Sequence, residues 1–287
     1  MKSLPRNIET IIEPEPVTEG AGVRLKRSIG TQRLDYLDPF LLLDDFASSD
    51  PREYQAGFPL HPHRGIETVT YVLRGEVHHK DTLGNSGSIG AGDVQWMTAG
   101  RGIMHEEMPQ VRPEGIAGFQ LWVNLPAKLK MTKPRYQEVR SSEIPEIKRK
   151  DGTRIRVITG TLDGVSGPVT GIAANPIYLD VSLPAQASFI QPIERGHTAF
   201  AYVFEGEAKF AGRDRVDGTT ISSPRLIVLG DGDEVKVSTA ETPVRFLLVS
   251  GKSLHEPIAR YGPFVMNTQE EIRQTLQELR QGTFVTT

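Results

Sequence analysis

Cysteine is absent from this chain of 287 residues. Disulfide bonds, thiolate metal ligands and a cysteine nucleophile are therefore excluded, and the absence is compatible with a reducing compartment. The chain also lacks an uninterrupted apolar run near the ~20 residues that a membrane-spanning helix needs. Residues 1–17 contain no apolar segment of the kind that a secretory signal carries. We expect a cytoplasmic, intracellular protein with no membrane role, and the nucleus stays open as a second location.

A large net charge of one sign is also missing. The 33 Lys and Arg residues nearly balance the 36 Asp and Glu residues, which gives a formal net charge of -3. A dedicated nucleic-acid-binding protein usually has a clear basic excess, so no direct nucleic-acid partner is expected. The 28 glycines and 20 prolines, with 38% apolar residues, are typical of a loop-rich globular protein with little helix.

Short runs with a strand-like pattern recur along the whole chain and predict an all-β fold. They cover residues 68–73, 94–97, 119–125, 155–159, 177–181 and 244–249. The length favours two domains at roughly 150 residues each. Because the composition becomes charged and proline-containing after residue 125, we predict domains at 1–133 and 155–287, joined by a linker at 134–154.

A weak internal repeat supports two similar domains. The sequence of residues 70–76 resembles that of residues 201–207, 131 positions later. A second short motif, which contains Gly and Asp, occurs at residues 90–94 and again in similar form at residues 230–234. Since both motifs occur in the same order in each half, the repeat predicts two copies of one β-barrel unit.

The end of the chain carries a clear helix signal. Thr268 and Glu271 have the spacing of a capping box, and Gly282 is a stop signal. The apolar stripe between them consists of Ile272, Leu276 and Leu279. A helix this short is marginal in isolation, so we expect it to pack on one of the barrels.

Two short motifs place a candidate metal ligand at every second position. The first contains His61 and His63, and the second contains His105 and Glu107. Residues two apart on a strand point to the same face, so each pair can face one site. Glu67 competes with Glu107 for the role of carboxylate ligand, because it has the same parity as His63. Three imidazoles and one carboxylate predict a mononuclear metal centre.

Imidazole nitrogen and carboxylate oxygen suit a divalent transition metal, namely iron, manganese, cobalt, nickel, copper or zinc. Four protein ligands around an octahedral ion leave two positions open for dioxygen, water or a chelating substrate. A closed structural zinc site would more often use cysteine. The ligand types therefore favour a reactive metal.

The second half of the chain lacks these ligands. At the repeat offset, His61 and His63 correspond to Pro192 and Glu194, and no histidine follows Gly232 until residue 255. The first half is therefore expected to hold the site. The remaining histidines fit surface or core positions better than ligand positions: His78, His79, His197 and His255.

Several longer words resemble the pirin family of the bicupin superfamily. Residues 61–69 resemble its first cupin motif and residues 92–109 its second. Further pirin-like words lie at residues 37–46, 120–126 and 262–268. The resemblance covers both halves, and it implies two tandem cupin barrels of the double-stranded β-helix, or jelly-roll, type with a short C-terminal helix. It also implies that the second barrel has no metal.

The resemblance implies a ligand set as well. The two histidines of the first motif correspond to His61 and His63. The second motif contributes a histidine and the glutamate two residues after it, which correspond to His105 and Glu107. The common cupin pattern would recruit Glu67 instead, so Glu67 stays a reserve candidate. Phe58 and Gln120, with Trp96 and Met97, are candidate pocket neighbours by motif position, although such residues are more often core.

The implied activity is that of a quercetin 2,3-dioxygenase, an enzyme that cleaves a ring with dioxygen. Fe(II) is the first candidate for the metal. The expected substrate is a small aromatic chelator, either a flavonol or a catechol-like compound. Glu107 would serve as a ligand and as a candidate general base.

The alternative function is a redox-sensing co-regulator that binds a transcription factor or a metabolic enzyme through a metal-dependent surface. Arg64 and the basic run at residues 148–156 are its candidate contact surfaces. A third hypothesis, a sugar isomerase or storage-type binding protein, is weakened because no phosphate-binding glycine loop is visible. Turnover of quercetin separates the enzyme from the regulator.

Overall fold

The computed structural model describes residues 3–214 and 217–285. Within this part the chain is mostly β-structure, with 3-10 turns at Pro51–Glu53, Ala127–Leu129 and Ser141–Glu143. The all-β prediction is confirmed, and each of the six predicted runs falls within, or within one residue of, a strand.

The strands of the first half are β1 (Ile8–Ile12), β2 (Glu15–Glu19), β3 (Val23–Ile29), β4 (Phe40–Ser48), β5 (Phe58–His63), β6 (Ile66–Arg74), β7 (Val77–Asp81), β8 (Ser86–Ile89), β9 (Val94–Thr98), β10 (Ile103–Pro109), β11 (Ile116–Asn124) and β12 (Arg135–Val139). Those that follow are β13 (Glu146–Lys148), β14 (Arg154–Thr159), β15 (Thr161–Leu162), β16 (Val165–Ser166), β17 (Ile177–Leu183), β18 (Ser188–Pro192), β19 (His197–Ala211), β20 (Thr219–Ser222), β21 (Arg225–Leu229), β22 (Glu234–Ser238), β23 (Val244–Lys252), β24 (Ala259–Tyr261) and β25 (Phe264–Met266). The α-helix, α1, spans Gln269–Gln281.

The chain folds into two compact units. One, here called the histidine barrel, consists of Glu15–Ser141 and the described residues of Leu254–Thr287. The other, the second barrel, consists of the described residues of Met1–Pro14 and Ser142–Ser253.

In the histidine barrel, two antiparallel sheets form the barrel itself, and β24 and β25 form a separate two-stranded sheet. The larger has the strand order β12-β9-β6-β11-β4-β3-β2, and the smaller has the order β5-β10-β7-β8. In β7 the burial alternates strictly, so that Val77, His79 and Asp81 turn inward. This period of two is what a strand with one buried face requires.

The second barrel repeats this topology. Its main order is β1-β21-β19-β23-β17-β14-β13, with β18 on β22 and β20 on β19. Strands β6 and β9 start 131 residues before β19 and β21, and β19 lies between β21 and β23 just as β6 lies between β9 and β11. The prediction of two copies of one barrel unit is confirmed.

The observed units differ from the predicted domain boundaries in two respects. The stretch expected as a linker, 134–154, contains β12, which pairs with β9, and β13, which pairs with β14. Residues 254–285 group with the histidine barrel, although they were expected with the second one. The pairing of β12 with β9 and the grouping of residues 254–285 with the histidine barrel both join residues far apart in the chain, whereas β13 and β14 form a local pair.

The predicted C-terminal helix is confirmed. The Thr268 hydroxyl accepts from the Glu271 amide at 3.2 Å, and the Glu271 carboxylate accepts from the Thr268 amide at 2.8 Å. Gly282 ends the helix with a φ of +71°. Ile272 packs in a cluster with Phe264, and Leu276 and Leu279 pack against it. No helix in the described ranges is both long and apolar enough to cross a membrane.

Candidate metal centre

Two neighbouring antiparallel strands carry the candidate histidines. Strand β5 presents His61 and His63, and β10 presents His105 directly opposite His61. The register shifts after His105, so that Glu107 lies opposite Phe58. The spacing of two along β5 and the register between β5 and β10 bring the three rings to one face.

The three imidazoles form a tight group. One ligand nitrogen from each of His61, His63 and His105 lies within 4.8 Å of the other two. The Nε2 atoms of His61 and His63 are 3.1 Å apart. His63 and His105 are buried, whereas His61 is half-buried and lies toward the cavity described below.

Burial and the neighbouring imidazoles keep the rings of His63 and His105 neutral. Burial lowers the pKa of His105 to about 3, and the neighbouring His61 contributes in the same direction. Burial also lowers the pKa of His63 well below its ordinary value, again with a contribution from the other two rings. A neutral imidazole has a free lone pair, which is the form that binds a metal.

The hydrogen bonding of the group fits a metal ion. The Pro59 carbonyl lies 2.9 Å from His61 Nδ1. Because a carbonyl oxygen can only accept, Nδ1 carries the hydrogen and Nε2 presents its lone pair to the group. His105 is fully buried, and neither of its ring nitrogens has a hydrogen-bond partner among the described residues. A bound cation would satisfy such a nitrogen.

Glu107 lies beside the group without being part of it. Its carboxylate accepts hydrogen bonds from Thr70 Oγ1 at 2.9 Å and from Gln120 Nε2 at 3.1 Å. It is buried and lines the same cavity as His61. Its role as the fourth ligand stays a prediction.

Glu67, the reserve candidate, has a different environment. It is buried on β6 and accepts a hydrogen bond from Thr98 Oγ1 at 2.7 Å. Burial raises its pKa. Glu67 belongs neither to the histidine group nor to the lining of the cavity in the described part of the chain. These contacts favour a structural role for this carboxylate.

A cavity of about 540 Å³ opens beside the histidines, inside the histidine barrel. This is within the size range of small-molecule sites, roughly 300–1,000 Å³. Its apolar walls come from Val23, Leu25, Phe46, Tyr54, Phe58 and Ile116. Trp122 also lines it and meets the His63 ring edge-on at a centroid distance of 5.0 Å.

Charged residues line another part of the same cavity. Arg27 forms a bidentate ion pair with Asp44, in which both N–O distances are 2.7 Å. It also forms an ion pair with Glu19 at 2.7 Å. Arg260, which also lines the cavity, stacks over Trp122 at 5.4 Å. The cavity thus combines apolar walls with a few polar groups at fixed positions.

The other residues selected from the sequence have varied positions. Phe58 and Gln120 line the cavity, whereas Trp96 and Met97 are core residues. Among the other histidines, His78 and His255 are exposed, and His79 and His197 are buried.

The proposed protein-contact role of Arg64 is contradicted by its position. Arg64 is 3% exposed, because the C-terminal helix covers it. The basic run on β13 and β14 does reach the surface, where Lys148 pairs with Glu146 and Arg149 with Asp163.

Several residues of the site could not be recognised from the sequence. Thr70 supports Glu107 from β6, Arg27 and Asp44 come from β3 and β4, and Arg260 comes from the C-terminal segment. No spacing rule connects positions so far apart in the chain. Trp122 could have been found, because it lies within the pirin-like word at residues 120–126.

Comparison with known proteins identifies relatives that match both halves of the chain. A family model described as Pirin matches residues 22–123, and one described as Pirin C-terminal cupin domain matches residues 178–285. A Pirin-like protein of Caulobacter vibrioides is 44% identical over 280 residues, which cover 97% of this chain and 99% of that protein. Pirin from Homo sapiens is 45% identical over 266 residues, or 92% of this chain and 88% of that protein. The crystal structure of a quercetin 2,3-dioxygenase from Acinetobacter baumannii is 34% identical, with a TM-score of 0.87 and coverage of 98% of this chain and 99% of that one.

Proposed function

This chain belongs to the pirin family, and on that basis we propose that it is a metal-dependent oxidoreductase of the quercetin 2,3-dioxygenase type. The observation that carries the proposal is the buried group of His61, His63 and His105, in which His105 has no other hydrogen-bond partner in the described chain. The similarity to the Acinetobacter baumannii quercetin 2,3-dioxygenase supports the reaction class.

In this proposal His61, His63, His105 and Glu107 hold one divalent transition metal, with Fe(II) as the first candidate. The ligand types suit iron, manganese, nickel, cobalt, copper or zinc. The metal, when bound, would supply a Lewis-acid site that also admits dioxygen.

The cavity favours a flat aromatic substrate that can chelate a metal. Its volume of about 540 Å³ and its apolar walls suit a flavonol or a catechol-like compound. Phe58 and Trp122 line it close to the histidines and can orient an aromatic ring. The apolar walls also exclude water from the reacting part of the substrate.

Glu107 is the candidate general base of this proposal. Its carboxylate would accept the proton that a hydroxyl group of the substrate loses when it chelates the metal. Thr70 and Gln120 donate to the two carboxylate oxygens and hold them toward the cavity. Deprotonation makes the aromatic ring richer in electrons and hence more reactive toward dioxygen.

The test uses purified protein loaded anaerobically with Fe(II), followed by measurement of oxygen uptake and quercetin loss. We expect both in wild type and neither in His63→Ala. His78→Ala is the matched control, because His78 is an exposed histidine paired with Glu76. Metal-dependent consumption of both reactants in wild type and in the control would support the proposal.

Wild type that binds one metal per chain but consumes no quercetin would overturn the quercetinase assignment. A role as a metal-dependent co-regulator would then be the next hypothesis, and a partner protein whose binding depends on the oxidation state of the metal would support it. Arg64 is too buried to serve as its contact surface.

A further inference from the structure

The C-terminal segment of the histidine barrel supplies Arg260 to the cavity wall, and it also contacts both histidine-bearing strands. This segment, here called the C-terminal strap, comprises residues 254–285 and contains β24, β25 and α1. Three sets of contacts connect it to residues adjacent to His63 and near His105.

The first set involves Arg64, which directly follows His63 in the chain. Its guanidinium forms an ion pair with Glu278 at 2.7 Å and donates to Thr275 Oγ1 at 3.1 Å and to the Phe284 carbonyl at 3.2 Å. It also stacks over the Phe284 ring at 4.5 Å. A buried arginine with this many partners fixes the helix relative to the end of β5.

The second set joins the backbones. The Arg64 amide donates to the Pro263 carbonyl at 3.3 Å, and the Val265 amide donates to the Arg64 carbonyl at 3.0 Å. Lys130 is buried behind this bridge, and its Nζ atom donates to the carbonyls of Gly65 at 3.0 Å and Val265 at 2.8 Å. The residues that follow His63 are therefore held between the strap and Lys130.

The third set reaches the strand that carries His105. Met104, the residue before His105, packs against the apolar cluster that includes Ile272 and Phe284. Gly102, three residues before His105, lies so close to Phe284 that an added Cβ would be 3.0 Å from the Phe284 carbonyl oxygen. Phe284 thus touches Arg64 on one side and the start of β10 on the other.

We propose that Arg64 is a positioning residue through which the C-terminal strap holds His63 and His105 in their metal-binding arrangement. Docking of the strap and binding of the metal are then coupled. This inference rests on the metal site of the proposed function. It assigns to Arg64, Glu278 and Phe284 a role in metal affinity rather than in contact with substrate.

Coupling of this kind has to be reciprocal. If the docked strap raises metal affinity, the bound metal must stabilise the docked strap by the same factor. Local opening of α1 should therefore become rarer when the metal is bound, and hydrogen exchange of its backbone amides reports such opening. This consequence can be measured in the unaltered protein.

The experiment uses the full chain and Ni(II), chosen because it resists oxidation in air. Hydrogen exchange of α1 is measured with and without saturating Ni(II), and strand β17 of the second barrel is the internal reference. Metal affinity is measured by competition with a chelator in wild type, Glu278→Gln and Phe284→Ala. Glu270→Gln is the matched control, because Glu270 pairs with Arg273 on the exposed side of the same helix.

We expect Ni(II) to slow exchange in α1 and not in β17. Glu278→Gln and Phe284→Ala should weaken Ni(II) binding about tenfold or more, as is usual when the support of a ligand is lost. Glu270→Gln should bind like wild type.

Unchanged exchange of α1 on Ni(II) binding would overturn the inference, and this result does not depend on any variant folding. Variants that release α1 but bind Ni(II) as tightly as wild type would overturn it as well. Wild type that binds no metal would instead refute the proposed metal site together with the strap coupling.

Discussion

The two barrels share a topology but differ in what fills them. On β5 and β10 of the histidine barrel, the buried side chains include His63, His105 and Glu107. The corresponding strand pair of the second barrel, β18 and β22, buries Phe189, Gln191, Val235 and Val237. One scaffold therefore carries a polar site in one copy and an almost wholly apolar core in the other.

The interiors differ in packing as well. In the second barrel Phe246 contacts Phe189 and Phe210 at centroid distances of 5.9 and 5.8 Å, in the middle of a large apolar cluster. The histidine barrel instead encloses a cavity of about 540 Å³. Close packing stabilises a core. A cavity leaves room for a ligand, but the side chains around it lose part of that stabilisation. The two copies therefore differ in that one contains a cavity with polar groups and the other a closely packed apolar core.

The largest difference should concern metal binding. We expect His105→Ala to abolish tight binding of a divalent metal, because it removes one of three converging imidazoles. Gln191→Ala, at a buried polar position of the second barrel, should leave the stoichiometry unchanged. Metal content after dialysis against a weak chelator measures both. Tight binding that survives in His105→Ala would place the metal elsewhere.

Removing a phenylalanine side chain should reduce stability more in the second barrel than in the histidine barrel. Phe246→Ala should lower the free energy of unfolding by about 3–5 kcal/mol, since it leaves a hole in a closely packed core. Phe58→Ala, on the wall of the cavity and half-buried, should cost clearly less. Urea unfolding of the two variants compares the costs. Equal losses would show that the cavity wall is packed as tightly as the second core.

A feature common to both repeats should respond equally in both. Gly75 and Gly206 have φ values of +83° and +72°, and an added Cβ would lie 2.5 and 1.9 Å from a backbone oxygen. Each substitution to alanine should cost more than about 2 kcal/mol, the upper range of left-handed strain alone. Gly164→Ala is the control, with a φ of +78° but nothing within 4 Å. A cost for Gly75→Ala or Gly206→Ala no larger than that of the control would contradict the steric argument.

The state of His105 should also make stability depend on pH. In metal-free protein His105 should stay neutral down to a pKa of about 3, whereas an unfolded histidine takes up a proton near pH 6.5. Because the unfolded chain then binds more protons, this residue lowers the free energy of unfolding as the pH falls from about 6.5 toward 3.

Two measurements check this sign. The imidazole resonance of His105 should not titrate between pH 8 and 5 in the folded protein, but should titrate in urea. The dependence of unfolding free energy on pH should be shallower in His105→Gln, which cannot take up the proton. An ordinary titration of folded His105 would contradict the burial argument.

Much of the fold could be predicted because it depends on neighbours in the chain. The capping box of Thr268 and Glu271 forms as expected, and the alternation within each strand sets its buried face. The same alternation made His61, His63 and His105 recognisable as one group. The grouping of the chain differs from the predicted boundaries where long-range pairing joins distant residues, as in the pairing of β12 with β9 across residues 99–134.

The sequence by itself determined which residue types could hold a metal and which of them lie on the same face of a strand. It also determined that only one copy of the repeat has them. These are local properties of backbone geometry and side-chain chemistry. Only the tertiary structure decided that Arg64 is buried under the C-terminal helix, that Arg260 stacks on Trp122, and that Glu107 is held by Thr70 and Gln120. Such contacts join residues that are distant along the chain, and no local pattern records them, because they form only when whole elements pack together.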